Sequence, residues 1–97
     1  MITGKQRATL RSMANDYQPV VYIGKLGLTD NLLKEVSDAL EAHELIKIKI
    51  QDMAPLSVRE AADQISEKLT AEIVSCVGSK FVLFRTARKP ENRKIKL

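Results

Sequence analysis

The sequence predicts a compact two-layer α/β domain with the order helix, strand, helix, strand, helix, strand, strand. Three observations support this prediction. Apolar residues recur at helical spacing in three segments, short apolar or alternating runs lie between them, and a tight-turn signal separates the last two runs. Strands that alternate with helices need crossover connections and pair in parallel, whereas a closing hairpin adds an antiparallel pair. We therefore expect a four-stranded mixed sheet.

The first three elements have recognisable boundaries. Thr3 is suited to cap a first helix that extends to about residue 15, and a proline separates this helix from a short apolar strand, 20–23. Thr29 is suited to cap a second helix, which ends near His43. The apolar stripe of the first helix consists of Leu10, Met13, Ala14 and Tyr17.

Residues 46–50 alternate isoleucine with lysine, which indicates a strand with one buried face. Lys47 and Lys49 then point away from the core, and contact with solvent is the simpler role for them. In the next helix Ser57 and Glu60 have the spacing of a capping box.

The last two strands are predicted at 73–77 and 81–85, around a turn at Gly78 and Ser79. From Thr86 onward the chain is polar and basic, which favours a loose tail. The expected organisation is one domain, 1–86, followed by a basic C-terminal tail, 87–97.

Composition excludes several classes of protein. The chain of 97 residues has one cysteine, Cys76, and one histidine, His43, too few for a Cys/His metal site or an internal disulfide. No apolar run approaches the roughly 20 residues of a membrane span, and the first residues do not match a signal peptide. We expect a cytoplasmic protein without cofactors, without a small-molecule substrate and without membrane attachment, and we expect a monomer.

The net charge of +4 is unevenly distributed. Residues 1–29 carry +3, residues 30–79 carry −5, and residues 80–97 carry +6. Segregated charge of this kind says something about partners rather than about the fold. A basic surface formed by the two ends would attract a phosphate-rich ligand, whereas the alternative is ordinary scatter of charge with a basic tail.

Catalytic residues are scarce, so we do not expect an enzyme. His43 lies at a helix end beside Glu41 and Glu44, where a favourable interaction with the helix dipole is its simpler role. Cys76 lies in an apolar strand, where an inert buried thiol is expected. The glutamates themselves are expected to lie on a solvated helix face.

The loop Gly24-Lys25-Leu26-Gly27 matches neither a P-loop nor a dinucleotide-binding loop. Its place between a strand and a helix allows two interpretations that the loop alone does not separate. It is a plain turn that needs glycine for geometry, or it approaches a sugar-phosphate backbone as the Gly-x-x-Gly loops of KH domains do. Asp30 already supplies negative charge at the following helix end, which argues mildly against an anion bound there.

Basic residues of the first helix are the other candidates for contacts with phosphate. Lys5, Arg7 and Arg11 could line one side of this helix, and the alternative is a solvated rim. The chain has only two Tyr and two Phe, so an aromatic platform for stacking bases is not expected.

Four segments of the chain, in this order, closely resemble motifs of the CRM domain family, whose bacterial stand-alone members are called YhbY-like. They are Thr3-Gly-Lys-Gln-Arg7, Pro19-Val-Val-Tyr-Ile-Gly-Lys-Leu-Gly-Leu-Thr29, Ala39-Leu-Glu-Ala-His-Glu-Leu-Ile-Lys47 and Val77-Gly-Ser-Lys-Phe-Val-Leu-Phe-Arg85. The resemblance covers about residues 2–86. It implies an RNA-binding domain with a fold similar to the C-terminal domain of a bacterial translation initiation factor. Related plant domains occur in group II intron splicing factors.

The resemblance also implies a partner and a set of RNA-binding residues. The partner is ribosomal RNA in precursors of the large ribosomal subunit, and the residues are Gly24, Lys25, Leu26, Gly27, Lys5, Arg7 and Arg11. The chain departs from the family at Thr70-Ala71-Glu72, where similar proteins often have a glycine after the third helix. The rival hypothesis is an adaptor whose acidic helices, 30–43 and 57–70, bind a basic ribosomal protein.

Overall fold

The structure, a computed structural model, describes residues 2–97, so the first residue of the predicted domain lies outside the described residues. Three α-helices and four strands follow one another in the predicted order. They are α1 (Gly4–Ala14), β1 (Val21–Ile23), α2 (Asp30–His43), β2 (Leu45–Ile50), α3 (Val58–Leu69), β3 (Glu72–Val77) and β4 (Lys80–Phe84), and a short 3₁₀ turn (Pro90–Asn92) follows them.

The helices begin at the predicted caps. The Thr3 hydroxyl accepts a hydrogen bond from the Gln6 backbone N–H at 3.1 Å, and the Gln6 side chain accepts one from the Thr3 N–H at 2.9 Å. Ser57 and Glu60 form the same reciprocal pair at the start of α3, as expected. The Thr29 hydroxyl accepts from the Leu32 N–H at 3.1 Å. Each cap satisfies a backbone donor that has no partner within its helix.

The sheet is mixed, and its strand order is β1-β2-β4-β3. The β1 and β2 strands pair in parallel, whereas β4 pairs antiparallel with both β2 and β3. An irregularity between Ile73 and Ser75 interrupts the β3–β4 register. The predicted α/β class and the mixed four-stranded sheet are confirmed. The β1 and β3 strands form the two edges of the sheet.

Helices cover both faces of the sheet, which differs from the two layers that were expected. The α2 and α3 helices pack on one face, where Val36, Leu40 and Ile65 meet Ile48 and Phe81. The α1 helix packs on the other face, where the buried residues are Leu10, Ala14, Leu45, Val74, Val82 and Phe84. Because successive strand residues point to opposite faces, the unbroken apolar run 81–84 needs cover on both sides.

The apolar stripe of α1 is narrower than expected. Leu10 and Ala14 are buried, but Met13 and Tyr17 are 40% and 38% exposed. Both residues were expected to pack into the core. On the sheet face that α1 covers, β2 presents Leu45 followed by Lys47 and Lys49, so the apolar contact surface available to α1 is narrow.

The C-terminal segment is bound to the domain, so the expectation of a loose tail was wrong. Glu44 has no exposed surface, and its carboxylate accepts hydrogen bonds from the backbone N–H groups of Ala87, Lys94 and Ile95 at 2.7–2.9 Å. Burial raises the pKa of Glu44, but the three donors together outweigh it and leave that pKa below its usual value. Ile95 also packs beside α1.

Glu41 binds the same segment one helical turn earlier. Its carboxylate accepts from the Asn92 side chain and from the backbone N–H groups of Arg88 and Lys89, at 2.9–3.1 Å. These three donors lower the pKa of Glu41 to about 2. The Asn92 amide contributes most to this shift, followed by the two backbone N–H groups. The two glutamates expected on a solvated face therefore attach the C-terminal segment.

Arg85, at the end of the last predicted strand, is a structural residue. Its guanidinium donates to the Leu69 carbonyl at 3.0 Å and to the Ser37 carbonyl at 3.1 Å. Arg85 is only 9% exposed, and burial lowers the pKa of its guanidinium. It joins the end of α3 to the middle of α2.

Within residues 2–97, no helix combines the length and the apolar character that crossing a lipid bilayer requires.

Candidate nucleic-acid interface

The loop between β1 and α2 is a tight turn with an exposed tip. The Gly27 N–H donates to the Gly24 carbonyl at 3.0 Å, which closes the turn around Lys25 and Leu26. Lys25 is exposed, and Leu26 is 78% exposed. A large aliphatic side chain and a cation therefore project together from the end of an edge strand.

The two glycines of this loop have a geometric explanation. Gly27 has a φ of 67°, and a Cβ placed there would lie 3.1 Å from Cγ of Pro55. A Cβ on Gly24 would lie 3.1 Å from the side-chain oxygen of Gln51. The glycines let the loop lie closely against residues 51–55, whereas turn geometry does not account for the exposed Lys25 and Leu26. A ligand-binding role of the loop therefore depends on its tip.

The start of α2 is already capped, which weakens it as a seat for an anion. The Thr29 side chain occupies the Leu32 N–H, and Asp30 places a carboxylate in the first turn. The Thr29 hydroxyl and the Asp30 carboxylate therefore already supply the acceptor and the negative charge that the positive end of the helix dipole would otherwise take from a ligand. Phosphate contacts at this loop would come from Lys25 rather than from the helix end.

The three basic candidates of α1 do not share one side of the helix. Arg7 and Arg11 lie one turn apart, but Lys5 lies about 200° around the axis from Arg7. Arg7 is half-buried, and its Nε donates to the Ile73 carbonyl on β3 at 3.2 Å. Lys5 is exposed. Arg11 is therefore the α1 cation best placed to contact a ligand near the sheet.

A cleft of about 480 Å³ lies between the end of α1 and the β3–β4 hairpin. Arg11, Lys47 and Lys80 line it together with small, apolar and uncharged polar residues, and none of the described residues that line it is acidic. The alternating pattern of residues 46–50 predicted that Lys47 faces solvent, whereas no sequence pattern singled out Lys80. The alternation of residues 46–50 indicates that Lys47 points away from the isoleucines. It does not indicate that α1 and the β3–β4 hairpin lie on that same face of the sheet.

The candidate residues form two groups at opposite edges of the sheet. The loop 24–27 follows β1 at one edge, and Arg7 contacts β3 at the other. At a strand spacing of about 4.8 Å, the four strands separate the edges by roughly 15 Å. The structure therefore does not bring the loop and the α1 arginines together, and the end of the sheet near the β3–β4 hairpin lies between them.

The ion pairs among the described residues lie on α2 and α3. Within residues 2–97 the two ion pairs are Lys34–Asp38 on α2 at 3.1 Å and Arg59–Asp63 on α3 at 3.3 Å. None of the candidate cations takes part in either pair. Their charge therefore remains available to an anionic ligand.

Comparison with known proteins gives consistent results. The family model of the CRS1/YhbY (CRM) domain matches residues 2–85. "Probable RNA-binding protein YqeI" from Bacillus subtilis is 34% identical over 100% of this chain and 99% of its own length. A Haemophilus influenzae protein named "RNA-binding protein" is 33% identical over 99% of this chain and 94% of its own length.

A solved structure has the same fold. The solution structure of the hypothetical protein SAV1595 from Staphylococcus aureus matches with a TM-score of 0.76 and 34% identity, over 99% of this chain and 100% of that protein. The third helix ends at Thr70, which takes left-handed backbone angles (φ 55°, ψ 47°) that favour glycine. The family match, the relatives and the fold together show that this chain belongs to the CRS1/YhbY (CRM) domain family.

Proposed function

We propose that this chain is a cytoplasmic RNA-binding protein that binds ribosomal RNA in precursors of the large ribosomal subunit. Family membership and relatives named as RNA-binding proteins support the RNA part of this proposal. The assembly role rests on the family resemblance, and the cytoplasmic location rests on the single cysteine, which is typical of a reducing compartment. In this reading the protein positions or protects a structured RNA segment and performs no chemistry on it.

The observation that carries the proposal is the exposed tip of the loop 24–27. Lys25 supplies an exposed cation that can reach a phosphate, and the flanking glycines let the loop pack closely against residues 51–55 while its tip projects outward. Leu26 supplies an apolar surface suited to a ribose or a base edge. Arg11 and the lysines of the cleft extend the positive surface across the sheet.

The adaptor hypothesis has less support because the chain itself uses many of the acidic residues. Glu41 and Glu44 bind the C-terminal segment, and Glu60 caps its own helix. Asp38 and Asp63 are within ion-pair distance of neighbouring cations. Few carboxylates of α2 and α3 remain to attract a basic protein.

Substitution of one loop residue tests the proposal directly. Lys25→Ala is expected to weaken binding to a large-subunit rRNA fragment and to reduce the slope of log K against log salt by about 0.7–0.9, the loss of one phosphate contact. Lys68→Ala, an exposed lysine on α3, is the matched control and should leave both quantities unchanged. Equal behaviour of the two variants would remove the loop from the interface.

The cellular partner is tested by gradient sedimentation of lysate that contains the tagged protein. Co-sedimentation with large-subunit precursors, lost after RNase treatment, is the expected result. Association that resists RNase would favour the adaptor hypothesis. Sedimentation with mature ribosomes only would contradict the assembly role while leaving RNA binding intact.

A further inference from the structure

One end of the sheet is uncovered on the face that α1 packs against. The pairs Tyr22–Lys49, Lys49–Lys80 and Lys80–Val77 run across all four strands in register. Directly paired residues share a face, and Lys80 lies two residues before Val82, which packs on the α1 side. These four residues therefore form one transverse row on that face, which we call the sheet row.

Three of the four residues of the sheet row are exposed and Lys49 is half-buried, and the row combines an aromatic ring with two cations. Tyr22 is 52% exposed and Val77 is 73% exposed. Lys80 also lines the cleft together with Arg11 and Lys47. Among the described residues, Glu72 is the one acidic strand residue on this face, and it lies at the opposite end of the sheet, where it accepts from the Ile2 N–H at 3.4 Å.

The sheet row joins the two groups of candidate residues. Tyr22 lies two residues before Gly24, so the row begins beside the loop tip, and it ends at the hairpin that faces Arg11. The row spans roughly 15 Å, the width of the sheet. A strand of RNA that contacts both Lys25 and Arg11 would therefore have to pass over it.

We propose that the sheet row binds an unpaired stretch of RNA, with Tyr22 stacking on a base and with Lys49 and Lys80 contacting phosphates. This inference rests on the proposed function and specifies which form of RNA the site accepts. The faces of bases within a duplex are already stacked, so an exposed ring offers a duplex little, whereas unpaired bases can stack on it. The row offers a single ring and not the platform of several rings that the composition argues against, and lysines beside a ring match the arrangement of surfaces that bind single strands.

The test compares a single-stranded oligonucleotide with a duplex of the same length. Tyr22→Thr removes the ring but keeps a strand-forming residue. It is expected to weaken binding of the single strand by about 5- to 150-fold, the range for loss of one stacked base, while duplex binding changes less than twofold. Tyr22→Phe keeps the ring and should remain within twofold for both ligands.

Tyrosine emission gives a second readout, because the chain contains no Trp and only two Tyr. In a Tyr17→Phe background Tyr22 is the sole emitter, and binding of the single strand should quench it. Lys49→Gln with Lys80→Gln should reduce the salt slope for the single strand by about 1.4, two phosphate contacts. Lys34→Gln with Lys68→Gln, on the other face, should leave that slope unchanged.

The outcomes separate this inference from the proposed function. Unchanged single-strand affinity in Tyr22→Thr, or equal losses for both ligands, would contradict the proposed role of the sheet row. Neither result would contradict RNA binding by the protein. A loss in Tyr22→Thr with no effect of Lys25→Ala would support the sheet row and remove the loop. Failure of the unsubstituted protein to bind any RNA would overturn both.

Discussion

The face of the molecule that carries α2 and α3 and the face that carries α1 both contain many charged residues, but they use them differently. On the first, Asp38 and Asp63 pair with cations one turn away, and Glu41 and Glu44 bind the chain's own backbone. On the second, Arg11 and the lysines of the sheet row form no ion pair within residues 2–97. Charges satisfied internally contribute to the fold, whereas uncompensated charges of one sign indicate a ligand.

Glu44 provides the strongest test of the first half of this comparison. Glu44→Gln keeps the shape of the side chain but removes the charge that holds three backbone donors. Charge-assisted hydrogen bonds of a buried group are the costly ones to lose, so we expect a loss of about 2–3 kcal/mol in the free energy of unfolding. Urea denaturation measures it.

Glu67→Gln is the control for that experiment, because Glu67 is exposed on α3 and should change the unfolding free energy by less than about 0.5 kcal/mol. If both variants unfold at the same urea concentration, Glu44 is not a structural residue.

The second half of the comparison is tested by the same charge reversal on each face. Arg11→Glu is expected to weaken RNA binding at least about tenfold, because it replaces an attraction to phosphate with a repulsion. Lys68→Glu, on the α3 side, should stay within about twofold. Filter binding or fluorescence anisotropy with an rRNA fragment at constant salt measures both, and equal losses would mean that total charge alone governs affinity.

A change confined to the α3 end should separate stability from binding. Thr70 takes left-handed backbone angles that a β-branched residue adopts only with strain, and it has an exposed side chain. Thr70→Gly should raise the free energy of unfolding by about 1 kcal/mol. RNA affinity should not change, and thermal denaturation together with a binding curve tests both statements.

The smallest effect concerns the C-terminal segment at low pH. Glu41 has a folded-state pKa of about 2, below its ordinary value of 4.5, so its contribution to docking is complete above about pH 5 and is lost as the pH falls towards 2. The lowered pKa of Glu44 has the same sign. Amide NMR signals of Arg88 and Lys89 should shift across this range, and Glu41→Gln should abolish that titration. A titration unchanged in Glu41→Gln would assign it to other groups.

Local patterns predicted most of the architecture. The caps at Thr3, Thr29 and Ser57, the hairpin at Gly78 and the alternation of 46–50 all depend on residues within a few positions of one another. Interactions of this range can be read from a single sequence, because helical and extended backbones fix which near neighbours meet. The loop 24–27 was located for the same reason, although its RNA-binding role stays a prediction.

Tertiary structure decided what depended on distant contacts. Glu44 meets Ile95 across 51 positions, and Arg85 meets Ser37 across 48, so no local pattern revealed that these residues are structural. The strand order likewise placed Tyr22, Lys49 and Lys80 in one row. Amino-acid types and their spacing alone determined the elements of this protein, and the pairing of strands and the packing of α1 determined which charged residues bind the chain and which face outward.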